Sequence, residues 1–270
     1  MHLKRVLTGI IALPILVFVI GFAPRWLFHF LIYIISITGL NEYYNVTSSD
    51  QPKFVKWSSY IITALLFLVI YTRQILLAPV VFTLWVFVPM VFFMFTRPSP
   101  DQQNTAEISK AILGPIYIVL PLAMLLYIDH FHPVNGAMWI FFLLTVIFAN
   151  DIGAFYFGKL FGRHKLYPSI SPNKTWEGSI GGLLTGFFTA FVFLRIIIIH
   201  QVNIKILLLV LSLSVMGQIG DLLESMLKRN HGIKDSGDII PGHGGILDRL
   251  DSILFSIPVL YVYLFIFVTC

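Results

Sequence analysis

Two pairs of acidic residues in the C-terminal part of the chain have a spacing that suits a metal site. Asp221 and Glu224 form one pair, and Asp248 and Asp251 form the other. Residues three apart on a helix lie on one face, so two antiparallel helices would present these carboxylates to a single pocket. Oxygen ligands suit a hard divalent cation, and Mg²⁺ prefers one or two carboxylates together with substrate phosphates. Ion pairing with neighbouring lysines and arginines is the plainer alternative.

The segment between the two acidic pairs is basic and rich in glycine. Lys228, Arg229 and Lys234 come first, and residues 241–245 (PGHGG) lead into the second pair. Glycines allow backbone N–H groups to approach a phosphate at the positive end of a helix. His243, which stands between glycines, has no helix to pack on. Together these features predict a site that handles phosphate groups with the help of a divalent cation.

A second polar segment, residues 171–178 (SPNKTWEG), lies upstream. It also fits an ordinary helix start, in which Asn173 or Thr175 caps the helix and Glu177 lies near its positive end. That interpretation does not cover Asp151, which lies within an apolar run. A charge near the bilayer centre costs at least about 2.5–3.5 kcal/mol, so we predict a functional role for Asp151.

Composition places these polar residues in a membrane protein. The chain has 270 residues, of which 57% are hydrophobic and 11% charged, and its mean hydropathy is +0.87. Ordinary soluble domains carry about 25% charged residues, so the composition excludes a soluble or disordered chain. The lone cysteine, Cys270, excludes a secreted domain held by disulfides.

Nine apolar runs are long enough to cross a bilayer, whose hydrocarbon core of roughly 30 Å needs about 20 residues of helix. We therefore predict an all-α polytopic membrane protein with about nine transmembrane helices. The runs cover approximately residues 6–22, 26–44, 57–72, 75–96, 108–128, 136–158, 178–199, 204–227 and 246–269.

The basic residues orient these helices. With the N-terminus in the cytoplasm, 14 of the 18 lysines and arginines fall on the cytoplasmic side and 4 outside. Cytoplasmic loops carry the excess of positive charge in membrane proteins. We expect a cytoplasmic N-terminus, an outside C-terminus, and cytoplasmic loops at residues 159–177 and 228–247. The net charge of +5 is then explained without nucleic acid.

The polar segment 97–107 reads as a linker between two helix groups. Residues 1–107 are predicted to form an N-terminal scaffold with little chemistry of its own, and the sequence leaves open whether this group pairs two copies as a homodimer. Residues 108–270 are predicted to form the catalytic helix group, because most of the acidic residues lie there.

The segment from Ser225 to Asp251 resembles the signature of phosphatidate cytidylyltransferases, also called CDP-diacylglycerol synthases. Segment 171–178 is also similar to that family, and the resemblance is specific over roughly residues 145–255. The signature positions are Ser225, Lys228, Arg229, Lys234, Asp235, Pro241, His243, Gly244, Gly245, Asp248, Arg249 and Asp251.

The resemblance implies a Mg²⁺-dependent reaction that transfers the cytidylyl group of CTP to phosphatidate and releases pyrophosphate. It also implies an enzyme of the bacterial inner membrane, with its active site facing the cytoplasm and the diacyl chains in the bilayer. A phosphomonoester has a second pKa near 6, so the attacking phosphate is already largely ionised and needs no strong base. The obstacle is repulsion between two anions, which metal and basic residues relieve.

The implied activity gives each candidate residue a role. Asp221 and Asp248 are the first choices for metal ligands, with Asp251 and Glu224 as further ligands or their partners, and a second cation is left open. Basic residues would bind phosphate groups of CTP or the lipid: Lys228, Arg229, Lys234 and Arg249. His243, as a hydrogen-bond donor, would shape the phosphate loop together with Gly244 and Gly245. The upstream loop would close the pocket with Ser171, Asn173, Lys174 and Thr175, while Asp151 would contact metal or nucleotide.

Two other functions fit part of the pattern. An ion-coupled transporter also keeps carboxylates in its helices, but near the midplane and beside broken helices. The carboxylates of this chain are instead expected near one face, beside a basic glycine loop. A CTP-dependent lipid kinase would transfer the γ-phosphoryl group rather than the cytidylyl group.

Overall fold

The structure of the protein is a computed structural model that describes residues 2–48, 51–97, 101–131, 136–198, 203–239 and 244–268. Its Cα packing divides the chain into two compact units. Unit 1 comprises Met1–His130 and Asp235–Asp248, and unit 2 comprises Phe131–Lys234 and Arg249–Cys270. Packing thus groups the helices up to residue 130 together. The two helix groups predicted from the sequence meet instead at residue 107.

Unit 1 is a group of helices. A 3₁₀ turn, Ile75–Leu77, leads into the fourth helix, and a π-helical turn, Pro115–Val119, joins the fifth and sixth into one continuous segment. The helices are α1 (His2–Gly21), α2 (Arg25–Thr47), α3 (Lys53–Tyr71), α4 (Ala78–Thr96), α5 (Gln102–Gly114) and α6 (Leu120–Phe131).

Unit 2 contains four long helices and a small antiparallel hairpin. The hairpin pairs Lys165 with Thr175 and Tyr167 with Ser171. A π-helical turn, Leu194–Ile198, extends the second of these helices. The elements are α7 (Gly136–Phe161), β1 (Lys165–Tyr167), β2 (Ser171–Thr175), α8 (Trp176–Phe193), α9 (Ile204–Asn230) and α10 (Leu247–Phe267), whose first two residues group with unit 1.

The helices account for the predicted membrane runs. Each of the nine apolar runs coincides with a helical segment in the part of the chain that the structure describes. Seven of these segments, from α3 onwards, are long and apolar enough to cross a membrane. The protein is therefore an all-α polytopic membrane protein, and the short hairpin is the β-sheet found among the described residues.

Side-chain caps begin two of the helices of unit 2. The Thr175 hydroxyl accepts the Gly178 N–H at 3.1 Å at the start of α8. Of the two predicted caps, Asn173 and Thr175, the helix therefore uses Thr175. The Asn203 side chain accepts the Ile206 N–H at 3.1 Å at the start of α9. Each cap gives a partner to an N–H group that has none within its own helix.

Glycines let α7 and α8 approach closely. A Cβ at Gly182 would lie 2.6 Å from the carbonyl oxygen of Asn150, and one at Gly178 would lie 2.7 Å from that of Ala154. Similarly, a Cβ at Gly220 of α9 would collide with the carbonyl oxygen of Asp251 in α10. These contacts bring together the backbones that carry the acidic residues of unit 2.

Candidate active site

Three aspartates on three helices of unit 2 lie within electrostatic range of one another. Asp151 comes from α7, Asp221 from α9 and Asp251 from α10. The charges of both other carboxylates act electrostatically on Asp251, and the charge of Asp221 acts on Asp151. Like charges within this range repel, and positive charge beside the cluster lowers that repulsion. We call these three residues the aspartate cluster.

Two lysines of unit 2 supply positive charge to the aspartate cluster. Lys174, on strand β2, forms an ion pair with Asp221 and also acts electrostatically on Asp151. Lys228, on α9, acts on Asp251. The structure thus brings predicted residues of the upstream loop and of the signature segment together in one place.

Glu224 pairs with Lys228 across one turn of α9. The Lys228 Nζ lies 2.5 Å from a Glu224 carboxylate oxygen, and the Glu224 side chain is 0% exposed. The Asp221 side chain, in contrast, is 32% exposed. Asp221 is therefore accessible to a ligand, whereas Glu224 orients Lys228. The predicted role of Glu224 as a metal ligand stays a prediction.

Polar side chains inside the apolar helices hold the residue next to Asp151. The Gln218 amide of α9 donates to the side-chain oxygen of Asn150 at 3.0 Å and to the backbone carbonyl of Ser179 at 3.1 Å. The Ser179 hydroxyl donates back to Gln218. Asn150 is fully buried. Gln218 and Ser179 were not among the residues predicted from the sequence, although polar residues inside apolar helices are themselves a signal of function.

Glu177 holds the hairpin that carries Lys174. Its carboxylate accepts the backbone N–H groups of Arg163 and His164 at 3.1 and 3.2 Å, and its Oε1 lies 2.6 Å from His164 Nδ1. The segment leading into β1 is therefore tied to the start of α8. Asn173 is exposed and Ser171 half-buried on β2, while Thr175 is buried as the helix cap.

In unit 1, the Asp248 carboxylate accepts hydrogen bonds from backbone N–H groups of the glycine-rich segment that precedes α10. Asp248 Oδ2 accepts the N–H groups of Gly245 at 2.8 Å and Ser236 at 3.0 Å. Gly244 has a positive φ of 82°, a conformation that favours glycine. The loop is thus ordered by Asp248, and the predicted role of Asp248 as a metal ligand stays a prediction. His243 lies outside the described residues.

The remaining basic candidates have exposed side chains. Arg229 donates to the carbonyl oxygen of Ile233 at 3.2 Å, near the end of α9. Lys234 and Arg249 are both exposed. Each is accessible to an anionic ligand from solvent.

The described residues contain no ready-made group of three His, Cys, Asp or Glu side chains that could hold a metal ion. The donor chemistry of the aspartate cluster nevertheless fits Mg²⁺. This ion is usually bound by one or two carboxylates and completes its shell with water and substrate phosphates, rather than by an all-protein cage. Asp221 and Asp251 supply such a pair.

The fold and the charged cluster define a membrane-embedded protein whose polar groups suit phosphate chemistry. The chain matches the model of the cytidylyltransferase family over residues 3–267. It therefore belongs to the cytidylyltransferase family.

Curated relatives bear a more specific name. The chain is 45% identical over 161 residues to the phosphatidate cytidylyltransferase of Bacillus subtilis, a match that covers 60% of each chain. It is 50% identical over 131 residues to that of Staphylococcus epidermidis, covering 48% of this chain and 50% of the relative. A Staphylococcus aureus protein of the same name is 48% identical over 131 residues, again 50% of its length. The chain thus spans half to 60% of the length of the relatives it matches.

Proposed function

We propose that this protein transfers the cytidylyl group of CTP to phosphatidate, giving CDP-diacylglycerol and pyrophosphate for phospholipid synthesis. The observation that carries the proposal is the convergence of the aspartate cluster with Lys174 and Lys228 in unit 2. Membership of the cytidylyltransferase family and the names of the relatives support it.

The chemistry follows from the charges of the two substrates. An oxygen of the phosphatidate phosphate attacks the α-phosphorus of CTP, a new P–O bond forms, and the bond to the bridging oxygen breaks as pyrophosphate leaves. The nucleophile is already ionised near neutral pH because its second pKa is about 6. Lowering the repulsion between two anions and aligning them are therefore the main tasks of the site.

The residues of unit 2 divide these tasks between them. Lys174 and Lys228 place positive charge beside the phosphate groups, and Glu224 orients Lys228. Asp221 and Asp251 are proposed to hold Mg²⁺, which would neutralise charge on the triphosphate. Asp151 adds a third carboxylate beside them. The exposed basic residues are proposed to contact phosphates further out: Arg229, Lys234 and Arg249.

We also propose the membrane topology that the basic residues predict. All nine helical segments cross the membrane, with the N-terminus in the cytoplasm and the C-terminus outside. The lysines and arginines support it, because 14 of 18 then fall on the cytoplasmic side. The membrane would be the bacterial inner membrane, which is consistent with the bacterial relatives, and the active site would face the cytoplasm, where CTP is available.

Position-specific labelling of CTP tests the proposed reaction. Purified protein in vesicles that contain phosphatidate is incubated with Mg²⁺ and CTP labelled at either the α- or the γ-phosphate. Cytidylyl transfer puts the α label into lipid and the γ label into pyrophosphate. Transfer of the γ label to a lipid would instead identify a lipid kinase, and label in neither product would contradict both enzymes.

A further inference from the structure

A carboxylate of the N-terminal helices binds the segment that carries the family signature. Glu42 lies in α2, and only 3% of it is exposed. Its Oε1 accepts the Ile246 N–H at 3.0 Å, and its Oε2 accepts the Leu247 N–H at 2.8 Å. The Ser236 hydroxyl donates to Oε2 at 3.2 Å. All of these residues belong to unit 1.

These contacts make Glu42 a cap for a helix that lies some 200 residues further along the chain. The first N–H groups of any helix have no partner within it, and they carry the positive end of its dipole. A carboxylate that accepts them is stabilised by charge-assisted hydrogen bonds. Burying a carboxylate is costly unless such donors surround it. Glu42 and the start of α10 therefore stabilise each other.

Two glycines leave room for the Glu42 side chain. A Cβ at Gly245 would lie 2.6 Å from Glu42 Oε2, and a Cβ at Gly237 would lie 2.8 Å from Glu42 Oε1. No real side chain tolerates contacts this short without a shift of its neighbours. A side chain at position 245 of the signature would thus collide with Glu42 of α2, which explains why a glycine stands there.

The same loop connects Glu42 to Asp248. Asp248 accepts the N–H groups of Gly245 and Ser236. Glu42 accepts the N–H groups of Ile246 and Leu247, which follow Gly245, and the Ser236 hydroxyl also donates to it. The two carboxylates therefore hold adjacent parts of one loop. From Leu247 the chain continues as α10, which carries Asp251.

We propose that Glu42 is a positioning residue for cytidylyl transfer. It fixes the loop that ends at Gly245 and Ile246 and the start of α10. Through them it orients the acidic residues of that helix. The N-terminal helices, predicted from the sequence to be a scaffold with little chemistry, then act on the signature segment through Glu42. This inference rests on the proposed function, because it concerns the rate of that reaction.

Three variants test the role. Glu42→Gln keeps the size but places an NH₂ group against backbone donors, whereas Glu42→Asp keeps both oxygens on a shorter stem. Glu107→Gln is the matched control: Glu107 is also a largely buried carboxylate of unit 1, 12% exposed, but it pairs with Lys110 and accepts from Ser48. All three are purified in the same detergent and compared by thermal unfolding before assay.

We expect Glu42→Gln to lower kcat by about 10- to 100-fold, as the loss of a partner that orients a site residue does elsewhere. The KM for CTP should change far less, because Glu42 is not proposed to touch the nucleotide. Glu42→Asp should recover part of kcat, and Glu107→Gln should retain that of the wild type. A kcat of Glu42→Gln equal to that of the wild type would overturn the proposal, as would equal losses in Glu42→Gln and Glu107→Gln.

Amide hydrogen exchange gives a second measurement that does not depend on turnover. In Glu42→Gln, the peptide that contains residues 244–248 should exchange faster, while peptides from α3 should exchange as in the wild type. Unchanged exchange in the loop would contradict the proposed contacts whatever the activity. If the wild-type protein forms no CDP-diacylglycerol, the proposed function fails, and the exchange experiment still decides whether Glu42 holds the loop.

Discussion

At the residue scale, Lys174 connects the upstream loop to the aspartate cluster. From the sequence it was one of four polar candidates on that loop, with no reason to prefer it over its neighbours. The structure pairs it with Asp221 and leaves Asn173, beside it, exposed. Its partner Asp221 lies on α9, more than 40 residues further along the chain, so no local pattern singles out Lys174.

Replacing Lys174 by methionine should strongly impair the proposed cytidylyl transfer. The variant keeps the aliphatic stem but removes the charge that faces Asp221 and, in our proposal, the phosphates. We expect kcat/KM for CTP to fall by about 100-fold or more, as for the loss of other groups that stabilise developing charge. Initial rates of CDP-diacylglycerol formation measure this.

Lys165→Met is the control for that change. Lys165 is an exposed residue of β1, on the same hairpin. Its loss should leave kcat/KM within about two-fold of the wild type, because Lys165 is not among the residues that act on the aspartate cluster, and an exposed substitution of this kind changes stability by no more than about 0.5 kcal/mol. Similar losses in both variants would show that the hairpin needs its overall charge rather than Lys174 in particular.

Residues with a local signal could be selected from the sequence, whereas residues whose contacts lie far along the chain could not. Asp151 was predicted because an acidic residue stands out in an apolar run. Thr175 was one of two predicted caps because caps act within a few residues. Glu42 was placed in the scaffold, since its partners lie about 200 residues away. No pattern near Glu42 indicates them.

At the element scale, the close approach of α7 and α8 determines where Asp151 lies. Gly182 leaves space for the carbonyl oxygen of Asn150, and the Asn150 side chain accepts from Gln218 on α9. The helices themselves were predictable from their apolar runs, because a lipid environment requires each spanning segment to satisfy its own hydrogen bonds. The β1–β2 hairpin was not, since strands of three and five residues carry too short a pattern.

Substituting Gly182 by alanine should disturb this helix pair. The new Cβ would lie 2.6 Å from the Asn150 carbonyl oxygen, a backbone atom that cannot rotate away. Overpacking of this kind typically costs about 1–3 kcal/mol. We expect a Tm lower by several degrees in detergent and a reduced kcat, because Asn150 precedes Asp151.

Gly217→Ala provides the comparison. Its Cβ would meet the end of the Ile147 side chain at 3.0 Å, and that side chain can adjust. Its Tm should therefore stay closer to the wild-type value than that of Gly182→Ala. The reverse order of the two Tm values would contradict the packing described for α7 and α8.

At the scale of the whole molecule, the protein has few charged residues, and several of them gather in unit 2. Only 11% of its residues are charged, yet three aspartates of unit 2 lie within electrostatic range of Lys174 on β2 and Lys228 on α9. The sequence predicted this concentration of charge in the C-terminal half. It did not predict that a C-terminal segment, Asp235–Asp248, packs with the N-terminal helices in unit 1. That grouping depends on contacts between distant parts of the chain.

The proposed topology can be tested with the single cysteine of the chain. Cys270 should lie on the side of the membrane that faces away from the cytoplasm, so a membrane-impermeant maleimide should label it in intact cells. In a Cys270→Ser background, a Ser99→Cys variant places the only thiol in the predicted cytoplasmic linker, where labelling should require permeabilised cells. Protection of Cys270 together with labelling of Ser99→Cys would reverse the orientation.

Replacing Asp221 is the sharpest test of the proposal that the aspartate cluster of unit 2 performs cytidylyl transfer. The measurement is the Mg²⁺-dependent incorporation of α-labelled CTP into lipid by reconstituted Asp221→Asn, compared with Asp101→Asn. The control makes the same change at the cap of α5, where asparagine caps as well as aspartate does. We predict a fall of at least about 100-fold in kcat for Asp221→Asn at unchanged Tm, and wild-type turnover for the control. Near-normal turnover by folded Asp221→Asn would contradict the account.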